Sequence, residues 1–189
     1  MKELRGSEIH LSIALAYQYI GQNFLYLERY DQSLNALWKC INITSLLSQS
    51  DSVIETSAWF HGLICCVYEN IDRPSQALHH CKNSLETFLR LDKTLEDERI
   101  ELLHITLGDV YFDLGQFLFA KEYYLKSLEI HEKRFPKTDH PNLGNIYNNL
   151  GMIYIMLDEY QLALENFQKA VENDKTTVQY IGHPRSAEN

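Results

Sequence analysis

At 189 residues, 45% of them hydrophobic, the chain is long enough for one domain or one short array with a continuous core. A formal net charge of −9 and a pI near 5.3 argue against nucleic-acid binding, which wants a basic stripe, and against anionic membrane surfaces. No apolar run approaches the ~18 residues of a membrane span, and Met1 to Gly21 lacks a secretory apolar core, so the default location is cytoplasmic.

In chain order, Ser7-Glu8 is a cap candidate for a first helix that runs to about Leu27. Glu28-Arg29-Tyr30 turns, and a second helix covers Asp31 to about Leu47. A polar loop over 48–52 leads to Ser52-Val53-Ile54-Glu55, whose spacing is that of a capping box, and a third helix to about Asn70. Pro74 fits the first position of a fourth helix, with Asp72 as its cap candidate. That helix ends near Leu91. Thr94-Leu95-Glu96-Asp97 is a second capping box, opening a fifth helix to Leu114-Gly115. A sixth runs from Gln116-Phe117 to Phe135-Pro136. Asp139 or His140 caps a seventh that starts at Pro141, and an eighth covers Tyr160 to Lys175. No strand alternation of any length is present, so the expectation is an all-α solenoid.

The helices repeat in pairs. Tyr147, Leu150-Gly151, Tyr154, Ala163, Phe167 and Ala170 recur as His104, Leu107-Gly108, Tyr111, Ala120, Tyr124 and Ser127. They recur again as His61, Ile64-Cys65, Tyr68, Ala77, Cys81 and Ser84, and as Tyr17, Ile20-Gly21, Phe24, Ser33, Leu37 and Cys40. The small residue of the first helix falls at 21, 65, 108 and 151, at intervals of 44, 43 and 43 residues. Small residues at such positions let the two helices of a hairpin approach closely, and the aromatics fill the space around the crossing. The repeats are placed at 7–48, 51–91, 94–135 and 139–175, with 176–189 a tail or the start of a truncated fifth repeat.

This spacing resembles the tetratricopeptide (TPR) signature, a helix–turn–helix unit, although the period exceeds the usual ~34 residues. The run Leu128 to Pro136 and on through Asp139-His140-Pro141 to Tyr147-Asn148-Asn149-Leu150-Gly151 is similar to the extended repeats of kinesin light chains. The resemblance implies a right-handed TPR solenoid of four repeats. It also implies a scaffold that binds a partner's peptide or helix on the concave face, lined by the first helix of each pair.

On that face the expected peptide-binding residues are Trp59, Glu69, Ile105, Asp109, Phe112, Asp113, Asn145, Asn148, Asn149 and Met152. The resemblance gives Asn149, with Asn148, the role of hydrogen-bonding a peptide backbone. Each of these residues also has a plain reading, packing against the next repeat. The ionisable groove residues are Glu69, Asp109 and Asp113, with no Lys or Arg clamp for a C-terminal carboxylate. The expected partner is therefore a protein or peptide with apolar and basic anchors.

No cofactor or metal is expected. Cys40, Cys65 and Cys81 occupy helix-crossing positions and read as small core thiols. The competing metal set, Cys65, Cys66, His79, His80 and Cys81, fails on spacing, because adjacent cysteines on a helix point about 100° apart. His79-His80 is assigned to the outer face. No phosphate loop, nucleophile elbow or His-Glu-x-x-His is present, so the chain is not read as an enzyme. Asp109 and Asp113 lie one turn apart and form a pair suited to acid–base work only if a nucleophile or metal joined them. An alternative function is the regulatory or assembly arm of a larger protein whose catalytic domain lies outside this sequence. His183-Pro184 repeats His140-Pro141 after 43 residues, so the array is expected either to continue or to cover its C-terminal end by self-association, with a fold-back of Val178 to Ile181 as the simpler cap.

Overall fold

The computed structural model describes residues 2–48, 50–91, 97–135 and 141–182, with side chains over 10–48, 50–91, 97–135 and 143–173. Among the described residues eight helices follow one another: α1 (Lys2–Tyr26), α2 (Tyr30–Ser45), α3 (Asp51–Asn70), α4 (Pro74–Arg90), α5 (Glu98–Asp113), α6 (Phe117–Arg134), α7 (Pro141–Met156) and α8 (Tyr160–Gly182). They pair as four hairpins, α1 with α2, α3 with α4, α5 with α6 and α7 with α8. Between hairpins α2 packs on α3, α4 on α5 and α6 on α7, while α3 also touches α1 and α5. Each hairpin leans only on its neighbours, which is the packing of a solenoid.

One backbone device closes every hairpin. Glu28, Asp72, Gly115 and Asp158 take positive φ of 55°, 54°, 69° and 59°. The next residue's N–H then reaches back five residues: Arg29 to Phe24 O, Arg73 to Tyr68 O, Gln116 to Tyr111 O and Glu159 to Tyr154 O, all at 2.8–2.9 Å. This is the Schellman ending, for which glycine is the usual residue. Only the third repeat has the glycine. Asp72 is therefore the left-handed turn residue and not the cap expected of it; Arg73 precedes Pro74 without a side-chain cap.

Other boundaries shift as well. α1 starts at Lys2, so Ser7-Glu8 lies inside it. Ser52 is inside α3, whose cap position is Ser50, and Glu55 spends its carboxylate on Arg99 at 2.6 Å instead of closing a capping box. The α5 cap is Asp97, which accepts from the Arg99 N–H at 2.9 Å; Thr94 falls outside the described residues, as do Asp139, His140, His183 and Pro184. α8 continues to Gly182, beyond the expected end at Lys175.

The crossings hold the small residues that the spacing requires. A Cβ on Gly108 would lie 2.7 Å from the Tyr124 ring, one on Gly151 2.7 Å from Phe167, and one on Gly21 2.9 Å from Leu37. In the second repeat the crossing pair is Cys65 and Cys81, and they are joined as a disulfide. This corrects their reading as core thiols: two small residues facing each other across the α3–α4 contact have Cα atoms 5.3 Å apart, within bonding reach. Cys40 and Cys66 are free. His80 is also corrected. It is buried, not on the outer face, and its Nδ1 sits 2.9 Å from His61 Nδ1 with the rings stacked.

Candidate functional site: an acidic pocket in the concave groove

The first helices α3, α5 and α7 bring one side chain set together. Glu69 near the end of α3, Asp109, Phe112 and Asp113 of α5, Tyr124 of α6, and Asn149 and Met152 of α7 line a cavity of about 180 Å³. Six of the ten expected groove residues thus converge. The i, i+4 spacing of Asp109 and Asp113 puts both on one face of α5. The other four do not join them: Trp59 and Ile105 pack against the core, and Asn145 and Asn148 are exposed on α7 outside the cavity.

Asp109 is the centre of the site. Its Oδ1 accepts a short hydrogen bond from the Tyr124 hydroxyl and a longer one, 3.4 Å, from Asn149 Nδ2. Glu69 Oε2 accepts from Asn70 Nδ2 at 3.0 Å. Beside them Thr106 donates to the Leu102 carbonyl and lies 3.9 Å from Cys66 Sγ. No Lys, Arg or His lines the cavity.

Three carboxylates without a lining cation repel one another, and burial makes their charge more costly. Burial, then the charges of Asp109 and Asp113, push the Glu69 carboxyl up to about 7. Burial also lifts Asp109 to about 6, against the Tyr124 hydrogen bond, which favours its charged form. Asp113 is raised too, by burial and by Asp72. Chemically, the arrangement presents three carboxylates beside the apolar surfaces of Phe112 and Met152. No nucleophile stands among its lining residues.

Tyr124 is the member that sequence reasoning missed. It occupies the aromatic packing position of its repeat, and its ring does pack on Gly108. The hydroxyl is what enters the site. The signal was available: the fourth repeat has Phe167 at the equivalent position, so the hydroxyl is not needed for packing.

Paired helices stacked into an array with a side-chain-lined groove define a protein-interaction solenoid. The chain folds as a tetratricopeptide-type solenoid: residues 98–176 match the model of a tetratricopeptide repeat family, and solved TPR-type arrays share its fold. BtubC (BKLC) from P. vanneervenii is 18% identical with a TM-score of 0.75, over 93% of this chain and 68% of that one. The apo form of RapI is 17% identical with a TM-score of 0.77, over 89% of this chain and 58% of that one. A putative kinesin light chain from Podosopora anserina, with nearly identical TPR-like repeats, is 13% identical with a TM-score of 0.70, over 90% and 76%. At these identities the likeness is one of fold, a solenoid that generally serves as a non-catalytic scaffold for protein partners. No curated protein matches the sequence. Among the described residues no helix is long and apolar enough to cross a membrane.

Proposed function

We propose that the chain binds a peptide segment of a partner protein along the concave groove, seating a Lys or Arg side chain among Glu69, Asp109 and Asp113 and an apolar side chain on Phe112 and Met152. The observation that carries this reading is the cavity with three carboxylates and no lining cation. An incoming ammonium or guanidinium relieves the repulsion and supplies the missing counter-charge, with charge-assisted hydrogen bonds. In this reading Asn149, whose bond to Asp109 is long at 3.4 Å, leaves it and hydrogen-bonds the peptide backbone.

Selection from a random peptide library tests it. The expected winners carry one Lys or Arg next to an apolar residue. Asp109→Asn should weaken a selected peptide by roughly 2 kcal/mol, the worth of a hydrogen bond to a charged group. Phe112→Ala should weaken it by a similar amount through lost apolar contact. Peptides with no basic residue, or affinities unmoved by both substitutions, would reject the groove. The Cys65–Cys81 disulfide favours an oxidising compartment over the cytoplasmic default, because such bonds persist mainly there.

A further inference from the structure

The second helices of the repeats enclose a cavity larger than the groove pocket, on the other face of the array. It measures about 560 Å³ and lies between α4 and α6, over the α5 residue His104. That volume is in the range of small-molecule sites, roughly 300–1,000 Å³. Its walls are apolar and aromatic: Leu85 and Leu89 from α4, Tyr123 and Ile130 from α6. Tyr123 stacks on Tyr111, which stacks on Phe119, so one wall is a rigid aromatic ladder. The mouth is balanced in charge, with Lys82 and Glu86 on one rim and Lys126 and Glu129 on the other.

The observation that points to a ligand is His104. It is 5% exposed. Its Nδ1 lies 2.7 Å from the Ile100 carbonyl, and a carbonyl only accepts, so Nδ1 carries the hydrogen. Burial holds the ring below its ordinary pKa, against the Ile100 hydrogen bond, which favours the charged form, and Lys126 lowers it further, so the neutral ring is favoured at pH 7. The second nitrogen, Nε2, is then a bare acceptor with no hydrogen-bond partner among the described residues. Nε2 keeps contact with solvent through the cavity, so a donor that enters there replaces a water with a direct hydrogen bond.

We propose that this cavity is a second binding site, for a small aromatic molecule that carries one N–H or O–H donor, of the indole or phenol class. The ring lies between the Leu85–Leu89 wall and Tyr123, and its donor meets His104 Nε2. A strongly charged ligand is disfavoured, because each rim offers one cation and one anion.

Indole itself is the probe, with 1-methylindole as the matched ring that lacks the donor. In an NMR titration of the full chain, indole is expected to give saturable shifts at α4 and α6 amides around the cavity and at the His104 ring nitrogens. The 1-methyl compound is expected to bind roughly fivefold to tenfold more weakly, the worth of one hydrogen bond. Leu89 is 47% exposed, so Leu89→Trp can fill the mouth without disturbing the core, and it should abolish the shifts. His104→Phe should bring the two compounds to equal affinity. If that variant does not fold, the comparison of the two ligands on the unsubstituted chain still decides. Equal binding of the two compounds, indole shifts that survive Leu89→Trp, or no saturable shift at millimolar indole would overturn the site.

Discussion

Gly108 and Gly151 occupy the same place in successive repeats, yet the rings above them differ in freedom. Tyr124 is 2% exposed and its hydroxyl is tied to Asp109, so the ring over Gly108 cannot back away without breaking the pocket. Phe167 over Gly151 is only partly buried and has no such tether. Gly108→Ala should therefore cost about 1–3 kcal/mol in denaturant unfolding, the usual range for overpacking. Gly151→Ala should cost less, because Phe167 can swing toward solvent. Equal costs, or a larger one at Gly151, would show that the Asp109–Tyr124 bond does not hold the ring.

At the scale of elements, α3 and α5 carry the carboxylates whose charge the fold tolerates poorly. The sign of the pH effect follows from their raised pKa values, about 7 for Glu69 and about 6 for Asp109. The folded chain holds these protons more tightly than the unfolded chain. The pair's contribution to stability is thus lost as pH rises from about 4 toward 7, and the penalty is complete above that. Glu69→Gln removes its share of the penalty. It should raise Tm at pH 8 by a few degrees, about 2–4 °C for each ~1 kcal/mol in a chain of this size, and change little at pH 4. Binding of a basic peptide should run the other way and tighten between pH 5 and pH 8, because the cation prefers ionised carboxylates. A lower Tm for Glu69→Gln at pH 8 would contradict the electrostatic account. Elsewhere on these helices charge is paired: buried Glu101 meets His131 at 2.8 Å and Arg134, holding α5 to α6.

At the scale of the whole molecule, the outer side of the fourth repeat has no hairpin packed against it among the described residues. On α6, Lys121 reaches Glu159 and Tyr154 of the fourth repeat, and Leu128 packs toward the core; these positions face the next hairpin. One repeat interval later on α8 stand Leu164 and Val171, each 51% exposed, with no hairpin against them among the described residues. The fourth repeat has thus replaced a lysine with leucine where the third meets a neighbour. We expect a second copy to cover this face, with sedimentation at micromolar concentration showing a dimer that Leu164→Glu with Val171→Glu dissociates. A monomer of the unsubstituted chain at that concentration would exclude self-association through this repeat.

The repeat interval, the small residues at the crossings and the helical class were legible in the sequence because they are local or periodic demands. A hairpin can close only where Gly108 or Gly151 leaves room for an aromatic, and that need recurs at fixed spacing. The acidic members of the groove were legible for the same reason, since i, i+4 spacing sets Asp109 and Asp113 on one face. What packing alone decided lies between elements. Whether Cys65 and Cys81 are two thiols or one disulfide depends on the depth of the α3–α4 crossing, which no spacing rule states. His80 turned inward because His61 and Tyr68 offer it a stack on the neighbouring helix. Tyr124 entered the pocket because its hydroxyl, at the end of a ring chosen for packing, reaches Asp109 across the hairpin. Periodicity assigns a residue to a face. The distance and tilt between helices decide which atoms on two faces meet, and those come from the summed packing of every side chain at the contact.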